Sequence, residues 1–116
     1  MQTHRRIIAY KDDFVNFYQS QGPKIQEKIE YVLDLVRFEK QVPVKFLKYL
    51  ENTNQIYEIR VMTTFKNIRI FCFFDMGDLV VLTNCFFKKS QKTPYKEIKL
   101  AEKLKNDYMF EKFREA

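Results

Sequence analysis

The chain has 116 residues, enough to bury one hydrophobic core but not two, so a single domain over residues 1–116 is expected. Hydrophobic residues make up 46% and charged residues 31%, the balance of a folded protein, and no apolar run approaches the roughly 18 residues of a membrane span. One histidine (His4) and two glycines (Gly22 and Gly77) exclude the usual Cys/His zinc centre and a Gly-rich phosphate loop, and they leave a Ser-His-Asp site only the N-terminal tail.

The first strand is expected over about residues 4 to 10, in "HRRIIAYKD". This N-terminal stretch has neither a long apolar segment nor a small-residue cleavage site, so no signal peptide is evident and a cytoplasmic location is expected. Phe14, Phe17 and Tyr18 then recur at helical spacing behind Asp12 or Asp13 as N-cap. Gly22-Pro23 punctuates the chain, and Pro23 suits the first turn of a second helix. Ile25, Ile29, Val32, Leu33 and Val36 form one apolar stripe there, as on a helix laid against a sheet.

Pro43 ends that region, and "VKFLKYLENTNQ" is a connector carrying Lys45 and Lys48. The period then changes to two. Tyr57, Ile59 and Val61 face one way, while Ile56, Glu58 and Arg60 face the other. In "NIRIFCFFD", Ile68, Ile70, Cys72 and Phe74 oppose Arg69, Phe71 and Phe73. "DMGD" is a hairpin turn in which Gly77 is free to take positive φ. "LVVLTNCFFK" is a third strand, apolar on both faces, so the three make an antiparallel meander. Cys72 and Cys85 fall inside these strands and read as buried small hydrophobes.

Thr93 is the expected N-cap of a last helix, with Pro94 at its first position. Ile98, Ala101, Leu104 and Tyr108 form its apolar stripe; Lys96, Lys99, Lys103 and Lys105 lie off it and read as solvated, and only "EKFREA" is expected to fray. The order β-α-α-β-β-β-α, with helices on one face of an antiparallel sheet, is an α+β fold.

The net charge of +6 matters only if it clusters. With helices on one face, Arg60 and Arg69 are expected on the other, exposed face, with Phe71 and Phe73 beside them. An exposed cation next to an exposed ring is a grip for single-stranded RNA, by phosphate contact and base stacking. The competing reading is a surface arginine in a weak cross-strand pair with Glu58. Lys88, Lys89 and Lys92 at the end of the third strand read either as a phosphate-binding rim or as charge guarding a hydrophobic strand. Tyr95 falls in the first helical turn, where backbone N–H groups favour an anion.

Three strings, "FLKYLENTNQIYEIRV", "NIRIFCFFD" and "FFKKSQKTPYKEIKLAEK", resemble the HigB-like toxins of phage-derived type within the RelE/ParE toxin superfamily. That family shows a lysine-bearing connector before a "YELR"-like strand, then an "RI-x-YFF"-like strand and a "F-x-KK-T-Q-K-T-P-x-x-E-I-x-x-A" segment. The matching residues are Tyr57, Glu58, Ile59 and Arg60, then Arg69, Ile70, Phe73 and Phe74, and then Phe86 to Ala101 around Lys88, Lys89, Lys92, Thr93 and Pro94.

The resemblance implies a RelE-like fold and the toxin of a type II toxin–antitoxin pair, neutralised by a small, helix-turn-helix antitoxin. It implies an endoribonuclease that cleaves messenger RNA on the ribosome, with no cofactor and no membrane partner. Arg69 would stabilise the phosphate with Arg60, Lys88 and Lys89 beside it, and Tyr95 would transfer a proton or stack on a base. Lys45, Lys48, Phe71, Phe73 and Lys92 would bind the RNA. The sequence departs from many relatives by carrying Asn84 in place of a histidine, Cys85 in place of a glycine, and Ser90. Two other readings follow from the same resemblance: a topoisomerase-inhibiting toxin of ParE type, and a relative that has lost catalysis and only binds RNA or protein.

Overall fold

The computed structural model describes residues 2 to 115. Its strands are β1 (Arg6–Ala9), β2 (Leu47–Tyr49), β3 (Tyr57–Met62), β4 (Asn67–Asp75) and β5 (Leu79–Phe87). Its helices are α1 (Asp13–Gln19), α2 (Pro23–Phe38) and α3 (Tyr95–Glu115). One mixed sheet runs in the order β1-β5-β4-β3-β2, with β3, β4 and β5 as the expected antiparallel meander. The α+β class and element order hold, with one strand added. The connector around Lys48 contributes the three-residue edge strand β2, and β1 pairs parallel with β5.

The α2 stripe is buried as its spacing requires: Ile29, Val32 and Val36 are sealed from solvent and Leu33 nearly so. It packs with Phe14 of α1 on Ile59, Val61, Ile68, Ile70 and Cys72, the face assigned to the core by period-two alternation. Asp12 stands at the α1 N-cap position without a side-chain cap bond. Burial raises both cysteine thiols, as befits inert packing residues.

The opposite face is not open. α3 crosses it, and Ala101, Ile98, Tyr108 and Met109 pack on Ile56, Phe71, Phe73 and Val81. Phe71 and Phe73 are fully buried, which overturns their assignment as exposed base-stacking rings. The physical reason is area. Two phenylalanines, Val81 and the half-buried Phe86 give the second face too much apolar surface to leave wet, and the stripe of α3 covers it. Phe71 meets Phe86 edge-on at 5.1 Å, and Phe73 meets Tyr108 at 5.3 Å.

Polar contacts pin α3 along its length. Asp75 accepts from Tyr108 Oη at 2.7 Å and from Lys112 Nζ at 2.8 Å, and these partners lower its carboxyl pKa. Burial and that same carboxylate push Tyr108 up to about 12. Lys105, expected in solvent, is buried instead: its ammonium donates to the Asn54 carbonyl at 2.8 Å and lies 5.6 Å from the Phe73 ring centroid. The helix begins one residue later than expected, because the Pro94 carbonyl accepts from Glu97 and Ile98. Of "EKFREA", residues to Glu115 are helical, and Ala116 lies outside the described residues.

The β4–β5 turn takes positive φ at Gly77 (85°) and also at Met76 (50°). Two consecutive positive φ angles favour Asn-Gly over Met-Gly, since a methionine side chain strains the left-handed region. Met76→Asn is expected to stabilise the fold by about 1 kcal/mol, read as a higher urea midpoint at unchanged slope.

Candidate functional site

Hairpin register builds the site. Pairing of β3 with β4 sets Arg60 directly opposite Arg69, with Glu58 opposite Phe71 on the same face. β2 sets Lys48 opposite Glu58. On β5, Phe86 lies opposite Arg69, so Lys88, two residues further, returns to the arginine side. A 2.7 Å bond from the Lys88 amide to the Asn67 carbonyl ties it to the start of β4. The result is an open cleft of about 430 Å³ lined by Arg60, Asn67, Arg69, Lys88, Lys89, Ser90 and Gln91.

Two like charges directly opposed on neighbouring strands repel, so the pair needs a counter-ion. Glu58 supplies it from beneath, at 2% exposure. Its Oε1 lies 3.1 Å from Arg60 Nε and its Oε2 lies 3.7 Å from Arg69 Nε. These are ion pairs but not hydrogen bonds, the first by direction and the second by its length: Arg60 Nε, Arg69 Nε and Glu58 Oε2 all lack a hydrogen-bond partner. Arg69, 4% exposed, donates from Nη1 to the Ile68 carbonyl at 3.2 Å. The guanidiniums are thus held in place electrostatically, and both side chains line the open cleft, where their charge favours an oxyanion.

The cluster bends the acidity of its members. Burial lowers the pKa of Arg69, Glu58 opposes that, and Arg60 adds to it. Burial also lowers Lys88, and the positive charges of Arg69, Arg60 and Lys48 push the same way against Glu58. A lysine crowded by cations sheds its proton more readily.

Arg60, Arg69, Lys88 and Lys89 are therefore brought together, with Lys48 on the adjoining strand. Arg69 is not the exposed surface residue expected: it is buried beside Glu58 and opposite the half-buried Phe86 of β5. Lys45 stands apart: it lines a groove with Lys28, Tyr31 and Val32 of α2, its ammonium 5.5 Å from the Phe46 ring centroid. Lys92 and Tyr95 are exposed and are not among the residues lining the cleft. Tyr95 is 71% exposed, with the Lys99 ammonium 5.1 Å from its ring centroid.

Glu58 is the member of the cluster that a surface ion-pair reading undervalues; the i, i+2 spacing to Arg60 and the cross-strand Arg69 are its signal. Asn84 is fully buried at a β-bulge, its amide donating at 3.0 Å to both the carbonyl and the carboxylate of Glu97. It locks the first turn of α3 to β5 rather than facing the cleft. No three His, Cys, Asp or Glu side chains gather as a metal cage among the described residues. No helix is long and apolar enough to cross a membrane among them.

The chain matches no curated protein. The family model described as phage-derived protein Gp49-like (DUF891) matches residues 16–106, a span that includes β2 to β5 and every residue of the arginine cleft. The chain therefore belongs to the Gp49-like family of phage-derived proteins.

Proposed function

We propose that this Gp49-like protein is the toxin of a type II toxin–antitoxin pair and acts as an endoribonuclease on messenger RNA at the ribosome. The observation that carries the reading is the buried Arg69 opposite Arg60, braced by Glu58 beneath a cleft that also holds Lys88 and Lys89. RNA cleavage of this kind needs a base for the 2′-OH, cations for the phosphorane, and a proton for the leaving oxygen. Lys88, with its lowered pKa, takes the 2′-OH proton. The 2′-oxygen attacks the adjacent phosphorus, and Arg69 and Arg60 hold the developing charge. The bond from phosphorus to the 5′-oxygen breaks, and Lys89 at the cleft rim protonates that oxygen. The products are a 2′,3′-cyclic phosphate and a 5′-OH.

Tyr95 and Lys92, exposed and outside the cleft, contact flanking RNA or ribosome rather than the reacting phosphate. A small antitoxin that covers this cationic cleft would silence the site. Inducing the chain in a bacterium without antitoxin should arrest growth and create new messenger RNA 5′ ends on ribosomes. Normal growth with intact transcripts would rule out the reading. DNA damage and filamentation with intact transcripts would point instead to a topoisomerase-directed toxin.

A further inference from the structure

The apolar side chain at the tip of the β3–β4 hairpin has no packing reason to be there. The Thr63 amide donates to the Lys66 carbonyl at 2.9 Å and the Lys66 amide donates to Thr63 Oγ1 at 3.0 Å, which leaves Thr64 and Phe65 as the turn. Such tips favour Gly, Asn or Asp. Phe65 is 91% exposed, the most exposed large hydrophobic side chain in the described structure. It borders a groove of about 360 Å³ whose other walls are Lys66, Asn67, Phe87, Lys88 and Lys89. Asn67, Lys88 and Lys89 also line the arginine cleft, so the two depressions share a wall. On its other side Phe65 borders a groove of about 720 Å³ that carries Lys24 and Lys28 of α2. The ring therefore stands on a ridge between two basic depressions, one of them continuous with the phosphate site.

We infer that Phe65 is a base-stacking platform for a nucleotide flanking the cleaved phosphate, with the strand continuing past it toward Lys24 and Lys28. The inference rests on the RNA-cleaving reading above and names a specificity subsite for it. The occupant follows from charge and shape. Three lysines around an open aromatic face attract an anion that also carries a flat apolar surface, and a nucleotide has both. Phe65 supplies the exposed ring that Phe71 and Phe73, buried beneath α3, do not.

The chain has no tryptophan, so Phe65→Trp introduces a single fluorescent probe at the ridge. Its emission should be quenched when a mixed-sequence RNA bearing 2′-O-methyl groups, and so resistant to cleavage, is added. Phe65→Ala should weaken binding of that RNA by about 5- to 150-fold, the range that stacking of one base supports, with cleavage falling mainly through a higher KM. Binding of labelled RNA to the wild-type protein is followed in parallel by anisotropy. Unquenched emission on an RNA that does bind, or undiminished affinity of Phe65→Ala, would overturn the stacking role alone. If the wild type does not bind this RNA, the stacking role is overturned, while the ribonuclease reading stands or falls separately on whether messenger RNA is cut on ribosomes.

Discussion

Replacing Lys88 by methionine should lower kcat/KM for RNA cleavage by about 10²- to 10⁴-fold, the contribution of a positioned general base, without weakening the fold. The second half of that expectation comes from proton linkage. Burial and the neighbouring cations hold the folded pKa of Lys88 below its ordinary 10.5. At neutral pH the folded protein therefore carries a charge it disfavours, and this cost fades only as pH rises through the folded pKa towards the unfolded one. Removing the ammonium relieves the cost, so the urea midpoint of Lys88→Met should be unchanged or higher. Cleavage by the wild type should rise with pH as Lys88 becomes neutral. Lys88→Arg keeps the charge but cannot release a proton at these pH values, so it should bind RNA and fail to cut it. Wild-type rates in Lys88→Arg would remove Lys88 from the role of base.

Glu58→Ala should have the largest effect on stability, about 3–5 kcal/mol, the penalty for breaking a buried ion pair by deleting one partner. The variant leaves Arg60 and Arg69 opposed in register with nothing between them. Glu58→Gln, which keeps the shape and loses the charge, should be destabilised less yet still cleave poorly, because the two guanidiniums are no longer drawn together. Inorganic phosphate should recover part of the lost stability of Glu58→Ala by entering the cleft as a substitute anion. A Glu58→Ala midpoint equal to that of the wild type would mean the carboxylate is not the brace the distances describe.

Much of the molecule was legible locally. The α2 stripe, the alternation of β3 and β4, and the turn at Gly77 follow from side-chain period and backbone freedom, and each folds as read. Elements that depend on distant partners were not legible. β2 is three residues long, too short to announce itself, and the parallel pairing of β1 with β5 closes the sheet across most of the chain. The crossing of α3 onto the second face changes the site most. Its stripe was visible, but not which face it would choose, and that choice buries Phe71 and Phe73. The arginine pair itself could be had from sequence: a hairpin turning on Thr64 and Phe65 fixes Arg60 opposite Arg69, and that juxtaposition demands Glu58. Lys45 falls outside the cleft because it lies in the turn before β2, while Lys48, within β2, is paired opposite Glu58.

The central claim is that the arginine-lysine cleft cuts RNA through the RNA's own 2′-OH. It is tested most directly by presenting one ribosome-bound message with and without a 2′-deoxy substitution at its cut position. The wild-type protein should cut the unmodified message, leaving a 2′,3′-cyclic phosphate and a 5′-OH, and leave the substituted one intact at that position. Cutting at the deoxy position, or an uncut unmodified message, would contradict it.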